Sequence, residues 1–146
     1  MDAMTLPANR SCPIANTLAV LGQKWSLLLL REAFLGRTRY AEFRRIGIPT
    51  DVLAARLTAL VEAGLLDRRP YRETGERTRD EYVLTPAGQD AIGVLAALSE
   101  WGTEHLPLPD GARIGFAEKE TGHPVHLRFV TDDGRQVDNA NVTTAR

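Results

Sequence analysis

Between Tyr40 and Leu66 the chain carries a pattern that few folds satisfy. A short apolar-periodic segment meets a turn holding glycine and proline, then a longer leucine-striped segment, then another glycine. Tyr40, Phe43 and Ile46 recur every three residues, the spacing of one helix face, and Gly47 beyond them is what a helix C-terminus prefers. Ile48, Pro49 and Thr50 form a connector, with Thr50 placed to cap a helix that runs from Asp51 to Ala63 and stops at Gly64. At about 100° per residue, Leu53, Leu57 and Leu60 fall in one narrow stripe that must face a core. Asp51, Ala55, Thr58, Ala59 and Glu62 point away, and Arg56 lies on the flank. The outward face is therefore small and polar. A helix that meets another protein by burial carries large apolar anchors on such a face. One lying in the major groove of DNA needs a slim face with hydrogen-bonding groups near its N-terminus.

The neighbouring segments fix the order of elements. Ser11-Cys12-Pro13 reads as a helix start, with Ile14, Leu18 and Leu21 at helical spacing until Gly22. Trp25 to Leu35 is a second helix, apolar on nearly every side and hence central. After Leu65-Leu66, Asp67 to Glu73 and Arg79 to Leu84 read as two strands joined by Thr74-Gly75-Glu76-Arg77-Thr78, a hairpin with a charged tip. Thr85-Pro86 opens one long helix to about Glu104, ended by Pro107 and Pro109. Its apolar stripe, with Ile92 and Leu95 on one side and Val94, Leu98 and Trp101 on the next, is too broad for a single contact. It is expected to pack on its own domain and on a second subunit. Beyond Pro109, Pro124 to Thr131 alternates like a strand before the turn Asp132-Asp133-Gly134, giving a small β appendage, and Asn139 to Arg146 reads as an unstructured polar tail. The expected domains are a flexible N-terminus over residues 1–11, a helical and winged domain over 12–106, and the appendage with its tail over 107–146.

Composition removes several classes of function. The apolar run Leu27 to Leu30, stopped at once by Arg31 and Glu32, falls far short of the ~20 residues that span a bilayer. The opening MDAMTLPANR lacks the basic-then-apolar order of a secretory leader, so the expectation is a cytoplasmic protein. Cys12 is the single cysteine, which leaves no disulfide within the chain and no multi-cysteine zinc site. His123 and His126 lie on opposite faces of the expected strand and His105 is distant, so they read as surface histidines and no metal is expected. Without a Gly-rich phosphate loop or a nucleophile motif, neither an enzyme nor a cofactor is expected. The net charge of −1 hides a split: between Lys24 and Thr85 twelve basic residues stand against nine acidic ones, leaving +3 there and −4 for the two flanks. Eleven of those twelve are arginine, whose planar fork suits phosphates and guanine edges.

From Cys12 to Trp101 the chain resembles the HxlR family of bacterial transcriptional regulators. The matching pieces are Cys12-Pro13-Ile14, Leu21-Gly22-Gln23-Lys24-Trp25, Gly47-Ile48-Pro49-Thr50-Asp51-Val52-Leu53, Arg56-Leu57, Gly64-Leu65-Leu66, Glu81 to Gly88 and Glu100-Trp101-Gly102. The resemblance implies an α+β, mostly α fold: a winged helix-turn-helix with dimerising N- and C-terminal helices, acting as a homodimer on a roughly palindromic double-stranded DNA operator. It does not cover the appendage after Pro109. Together with the helix geometry it places Thr50, Asp51, Ala54, Ala55 and Arg56 nearest the base edges. Thr50 has a competing duty as N-cap. Asp51 either accepts from a cytosine amino group or serves the helix N-terminus, and Arg56 either reaches a guanine or phosphate or pairs internally. Arg39, Arg44 and Arg45 sit on the helix expected to cross the DNA backbone, and Arg77 and Arg79 on the wing expected to reach the adjacent minor groove. Some relatives sense oxidants or quinones with a cysteine in the N-terminal position of Cys12. Standing at the positive end of a helix and near Arg10, Cys12 is either a redox sensor or a small buried residue at the helix start. Trp25, Tyr40, Phe43 and Trp101 are either core or the lining of a site for a small-molecule effector. The rival class is a winged-helix protein-interaction module that never touches DNA.

Overall fold

The computed structural model describes residues 12–145, so the flexible segment expected over 1–11, Arg10 included, lies outside the described residues. Compactness divides the chain between Ile92 and Gly93, ahead of the 106/107 boundary drawn from composition.

In the first unit, helix α1 (Pro13–Leu21) starts where Pro13 needs no N–H partner and the Cys12 Sγ accepts from the Ala15 N–H at 3.5 Å. Helix α2 (Lys24–Phe34) is central as expected, with Leu29 and Leu30 fully buried. Helix α3 (Tyr40–Phe43) tightens into a 3-10 turn over Arg44–Ile46, and Gly47 closes it at φ 83, a left-handed conformation that costs glycine little. Helix α4 (Thr50–Glu62) follows and packs on α2. Its start corrects one expectation: Thr50 is the first helical residue and not the cap. The ladder begins with the Leu53 N–H donating to the Pro49 carbonyl at 2.9 Å, and no side chain caps the helix.

Strands β1 (Leu66–Tyr71) and β2 (Arg79–Leu84) form an antiparallel hairpin, with Leu66 opposite Leu84 and Tyr71 opposite Arg79. β1 ends at Tyr71, short of Glu73, because the Arg72 Nε already turns to the Glu76 carbonyl at 2.8 Å within the tip. The segment before α3 borders the hairpin: Arg39 bridges to Glu81, and the Tyr82 N–H donates to the Thr38 carbonyl at 2.7 Å. Phe43 is fully buried, as are leucines of α2, α4 and β1, and it meets Tyr82 edge-on with ring centroids 6.3 Å apart. Helix α5 (Pro86–Asp90) starts at Thr85, whose Oγ1 accepts from the Gly88 N–H at 3.0 Å.

The single helix expected from Pro86 to Glu104 is in fact two. α5 stops at Asp90 and α6 runs over Ile92–His105, because the Ala91 N–H bonds the Gly88 carbonyl three residues back at 3.1 Å and tightens the chain there. Gly88 and Gly93 flank the break and lower helix propensity across it.

In the second unit, from Gly93 on, α6 is followed by two minimal antiparallel pairs. β3 (Phe116–Ala117) pairs with β4 (Pro124–Val125), and β5 (Phe129–Val130) with β6 (Gln136–Val137). The strand expected from Pro124 to Thr131 is thus split between two sheets. Its middle leaves the ladder because the Leu127 N–H goes to the Glu100 carboxylate at 3.0 Å. The turn at Asp132 to Gly134 forms as read, with the Thr131 N–H on the Arg135 carbonyl at 2.8 Å. Within the segment read as an unstructured tail, Asn139–Asn141 make a 3-10 turn. No helix is long and apolar enough to cross a membrane among the described residues, and none of their His, Cys, Asp and Glu side chains gather in threes around a metal position.

Candidate nucleic-acid interface

The leucine stripe fixes how α4 presents itself. Leu53, Leu57 and Leu60 are at most 1% exposed, which commits the opposite side of the helix to solvent. Thr50, Asp51, Ala54, Ala55 and Thr58 are exposed there, and Arg56 is half-buried. By helical spacing, Asp51, Ala55, Thr58 and Glu62 make the centre of the outward stripe. Thr50 and Ala54 line one edge and Arg56 the other. The five residues expected near base edges therefore do not share one line. The stripe itself carries two acids and no cation, so attraction for a polyanion has to come from its surroundings.

Three devices hold α4 in place. Ile48 is buried in the turn. The Tyr40 hydroxyl donates to the Thr50 carbonyl at 3.1 Å and ties α3 to the first residue of α4. Glu42 secures the start of α3, its Oε2 accepting the N–H groups of Thr38 at 2.8 Å and Arg39 at 3.1 Å. Those two N–H groups, Thr38's foremost, hold the Glu42 carboxyl below its ordinary pKa by stabilising the carboxylate.

The arginines separate into two sets. Arg44 and Arg45 on the 3-10 turn, and Arg77 and Arg79 on the wing, are exposed and make no ion pair among the described residues. Arg56 is also without an ion pair among them, so the internal pairing considered for it does not form. Arg39, by contrast, is engaged. Its guanidinium pairs with the Glu73 carboxylate and stacks over the Tyr71 ring at 4.2 Å, and Glu73 raises its already high pKa. Arg39 thus fastens the start of α3 to the wing. Arg68, not singled out by sequence, does the same for α4, with its Nε 3.8 Å from Asp80 and its Nη2 3.4 Å from the Thr58 Oγ1. Tyr40 and Arg68 are the positioning residues that sequence reasoning missed. Their signal, a hydroxyl or guanidinium ten residues from its partner, has no local periodicity.

Of the aromatic residues considered for an effector site, Phe43 is core and Tyr40 pins the turn. Trp25 lies half-buried beneath the Lys24 ammonium, and Trp101 is exposed and leans on His105. Cys12 is half-buried, and its sulfur is occupied as a helix cap.

A helix, a three-residue turn, a second helix with a sealed inner face, and a β-hairpin define a winged helix-turn-helix protein. The chain belongs to the HxlR-like helix-turn-helix family, which matches residues 20–109, a family of transcriptional regulators and not of enzymes. It is 40% identical over 132 residues to an HTH-type transcriptional regulator of Mycobacterium tuberculosis, covering 89% of this chain and 82% of that one. The solved structure of PA1607, described as a candidate transcription factor, superposes with a TM-score of 0.80 at 35% identity and covers 95% of this chain and 99% of its own. The oxidised form of the redox regulator HypR matches with a TM-score of 0.58 at 32% identity, over 64% of this chain and 97% of its own. PA1607 therefore shares the second unit's appendage, whereas HypR is shorter by about a third of this chain.

Proposed function

We propose that this chain is a cytoplasmic, homodimeric regulator of transcription that reads double-stranded operator DNA by placing α4 in the major groove. One observation carries the reading: a helix sealed on one side by fully buried leucines offers only small or polar side chains on the other. Such a face fits a groove and lacks the anchors of a protein-docking helix. Thr50, Asp51, Ala54 and Ala55 approach base edges, and Asp51 at the helix start accepts from a cytosine amino group or stays with the helix dipole. Arg56 grips the groove's edge. Arg44 and Arg45 meet one phosphate strand, and Arg77 and Arg79 reach the flanking minor groove. Arg39 joins them by exchanging Glu73 for a phosphate.

Self-association is supported by Ile14 and Leu18 on α1 and by Leu98 and Trp101 on α6, each more than half exposed in the single chain. Two-fold pairing sets the two α4 helices about one DNA turn apart, roughly 34–36 Å. A second input, a small-molecule or electrophilic effector, acts on this dimer. HypR is a redox regulator, and Cys12, at a helix start, is the thiol this chain offers for the same role. Oxidation would join the sulfurs of two chains, with two protons and two electrons passing to the oxidant. Diamide should change operator binding by the wild type and leave Cys12→Ser unchanged; equal responses exclude the thiol.

The test of the main reading is a fluorescence-anisotropy titration of the intergenic duplex beside the gene, against a scrambled duplex, at two salt concentrations. Tighter binding to the first, with affinity falling steeply as salt rises, is expected. Equal binding to both, or a flat salt dependence, overturns it.

A further inference from the structure

The second unit has the wrong charge to help grip DNA. From Gly93 on, eight acids stand against five basic residues, leaving −3, whereas the chain up to Ile92 carries +2. It is also nearly without a core: among its described residues only Ala96 is buried. What it has instead is a cavity of about 620 Å³, within the range of small-molecule sites. Its lining is apolar at Ala97 of α6, Leu127, Phe129 and Val137, and carries the carboxylates of Glu100 and Asp138.

The polar groups of the lining are not equivalent. Glu100 is spent on the fold. Its Oε1 accepts from the Leu127 N–H at 3.0 Å and lies 3.5 Å from the His126 Nδ1, and its Oε2 lies 3.9 Å from the Arg128 Nη1. The one cation in the lining, Arg128, stands beside that carboxylate, with Nη1 donating to the Leu127 carbonyl at 2.6 Å. The Asp138 carboxylate makes no hydrogen bond and no ion pair among the described residues, and Phe129 is 53% exposed. An anion entering here meets two carboxylates against the single Arg128 guanidinium. A cation meets a free carboxylate and an aromatic face, inside a unit whose net charge draws it in.

We propose that this cavity binds a small lipophilic cation, a flat apolar body bearing one amine or ammonium, with Asp138 receiving the charge and Phe129 and Leu127 the body. This gives a chemistry to the effector of the reading above. It rests on that reading only for its consequence, since the binding itself needs no DNA.

The experiment is a titration of the full chain, without DNA, with the cationic dye rhodamine 6G and separately with the anionic dye fluorescein, followed by anisotropy. Saturable binding of the cation at one site per chain is expected, with the anion at least tenfold weaker. Asp138→Asn should weaken the cationic dye roughly fivefold and leave the anion unchanged, and Asp138→Glu should restore it. A variant that merely unfolds the appendage loses both dyes. Phe129→Leu, which keeps the apolar lining, should weaken the cation alone. Equal affinity for the two dyes, or charge selectivity unchanged in Asp138→Asn, overturns the proposal. So does dye release as protein concentration rises through the range of self-association, because that assigns the groove to a second copy. A failed operator titration alongside intact dye selectivity counts against the DNA reading alone.

Discussion

Glu42 shows how much of the interface rests on one side chain that touches no ligand. By accepting the N–H groups of Thr38 and Arg39 it closes the start of α3, and its carboxyl is held below the ordinary 4.5 because only the ionised form accepts both bonds well. The sign follows: a depressed carboxyl contributes stability that is present above about pH 4.5 and is lost as pH falls through its lowered value. Glu42→Gln should therefore lower stability by roughly 1 kcal/mol at neutral pH. The difference from wild type should shrink in urea unfolding as pH falls below the ordinary carboxyl value. Gly88 is the second such position, since a Cβ there would stand 2.0 Å from the Leu65 carbonyl oxygen. Gly88→Ala should cost about 1–3 kcal/mol, read as a lower urea midpoint, although alanine is the better helix former. Sequence shows Gly88 only as a residue of a helix start, because the carbonyl it meets belongs to a different segment.

At the scale of elements, α4 was legible because its information is local: the leucine stripe repeats at the helical period and names both the buried and the free side. Its exact start was less so, since Thr50 offers a capping hydroxyl but stands one residue inside the helix. The role of Arg39 was not readable at all, because its partner Glu73 is 34 residues away and neither carries a periodic signal. The break at Ala91 was hidden for the opposite reason, as helical apolar spacing continues on both sides of it. The Arg39 to Glu73 pair also makes a prediction about the wing. Glu73→Gln frees a guanidinium from an exposed carboxylate, so binding to any duplex should tighten and its salt dependence should steepen by close to one phosphate, about 0.9 in the logarithmic slope. Arg77→Ala should do the reverse, weakening all duplexes alike and flattening the slope by a similar amount. An unchanged slope in Arg77→Ala takes the wing out of the contact.

Over the whole molecule, charge and apolar surface are distributed by task. The outward stripe of α4 carries no cation, so in the proposed reading affinity falls to the arginines of the first unit and base reading to α4. The second unit carries the opposite charge and a cavity with an apolar lining. The proposed dimer would cover the exposed Ile14 and Leu18 of α1 and Leu98 and Trp101 of α6, and of these two helices only α6 carries a stripe that the sequence marks as too broad for one contact. The placement of α4 in two successive major grooves is tested most directly by dimethyl sulfate protection of guanine N7 on the intergenic duplex. The account predicts two protected major-groove patches related by a two-fold axis and centred about 10 base pairs apart. A duplex bound by the protein with its guanine N7 atoms fully reactive would contradict it.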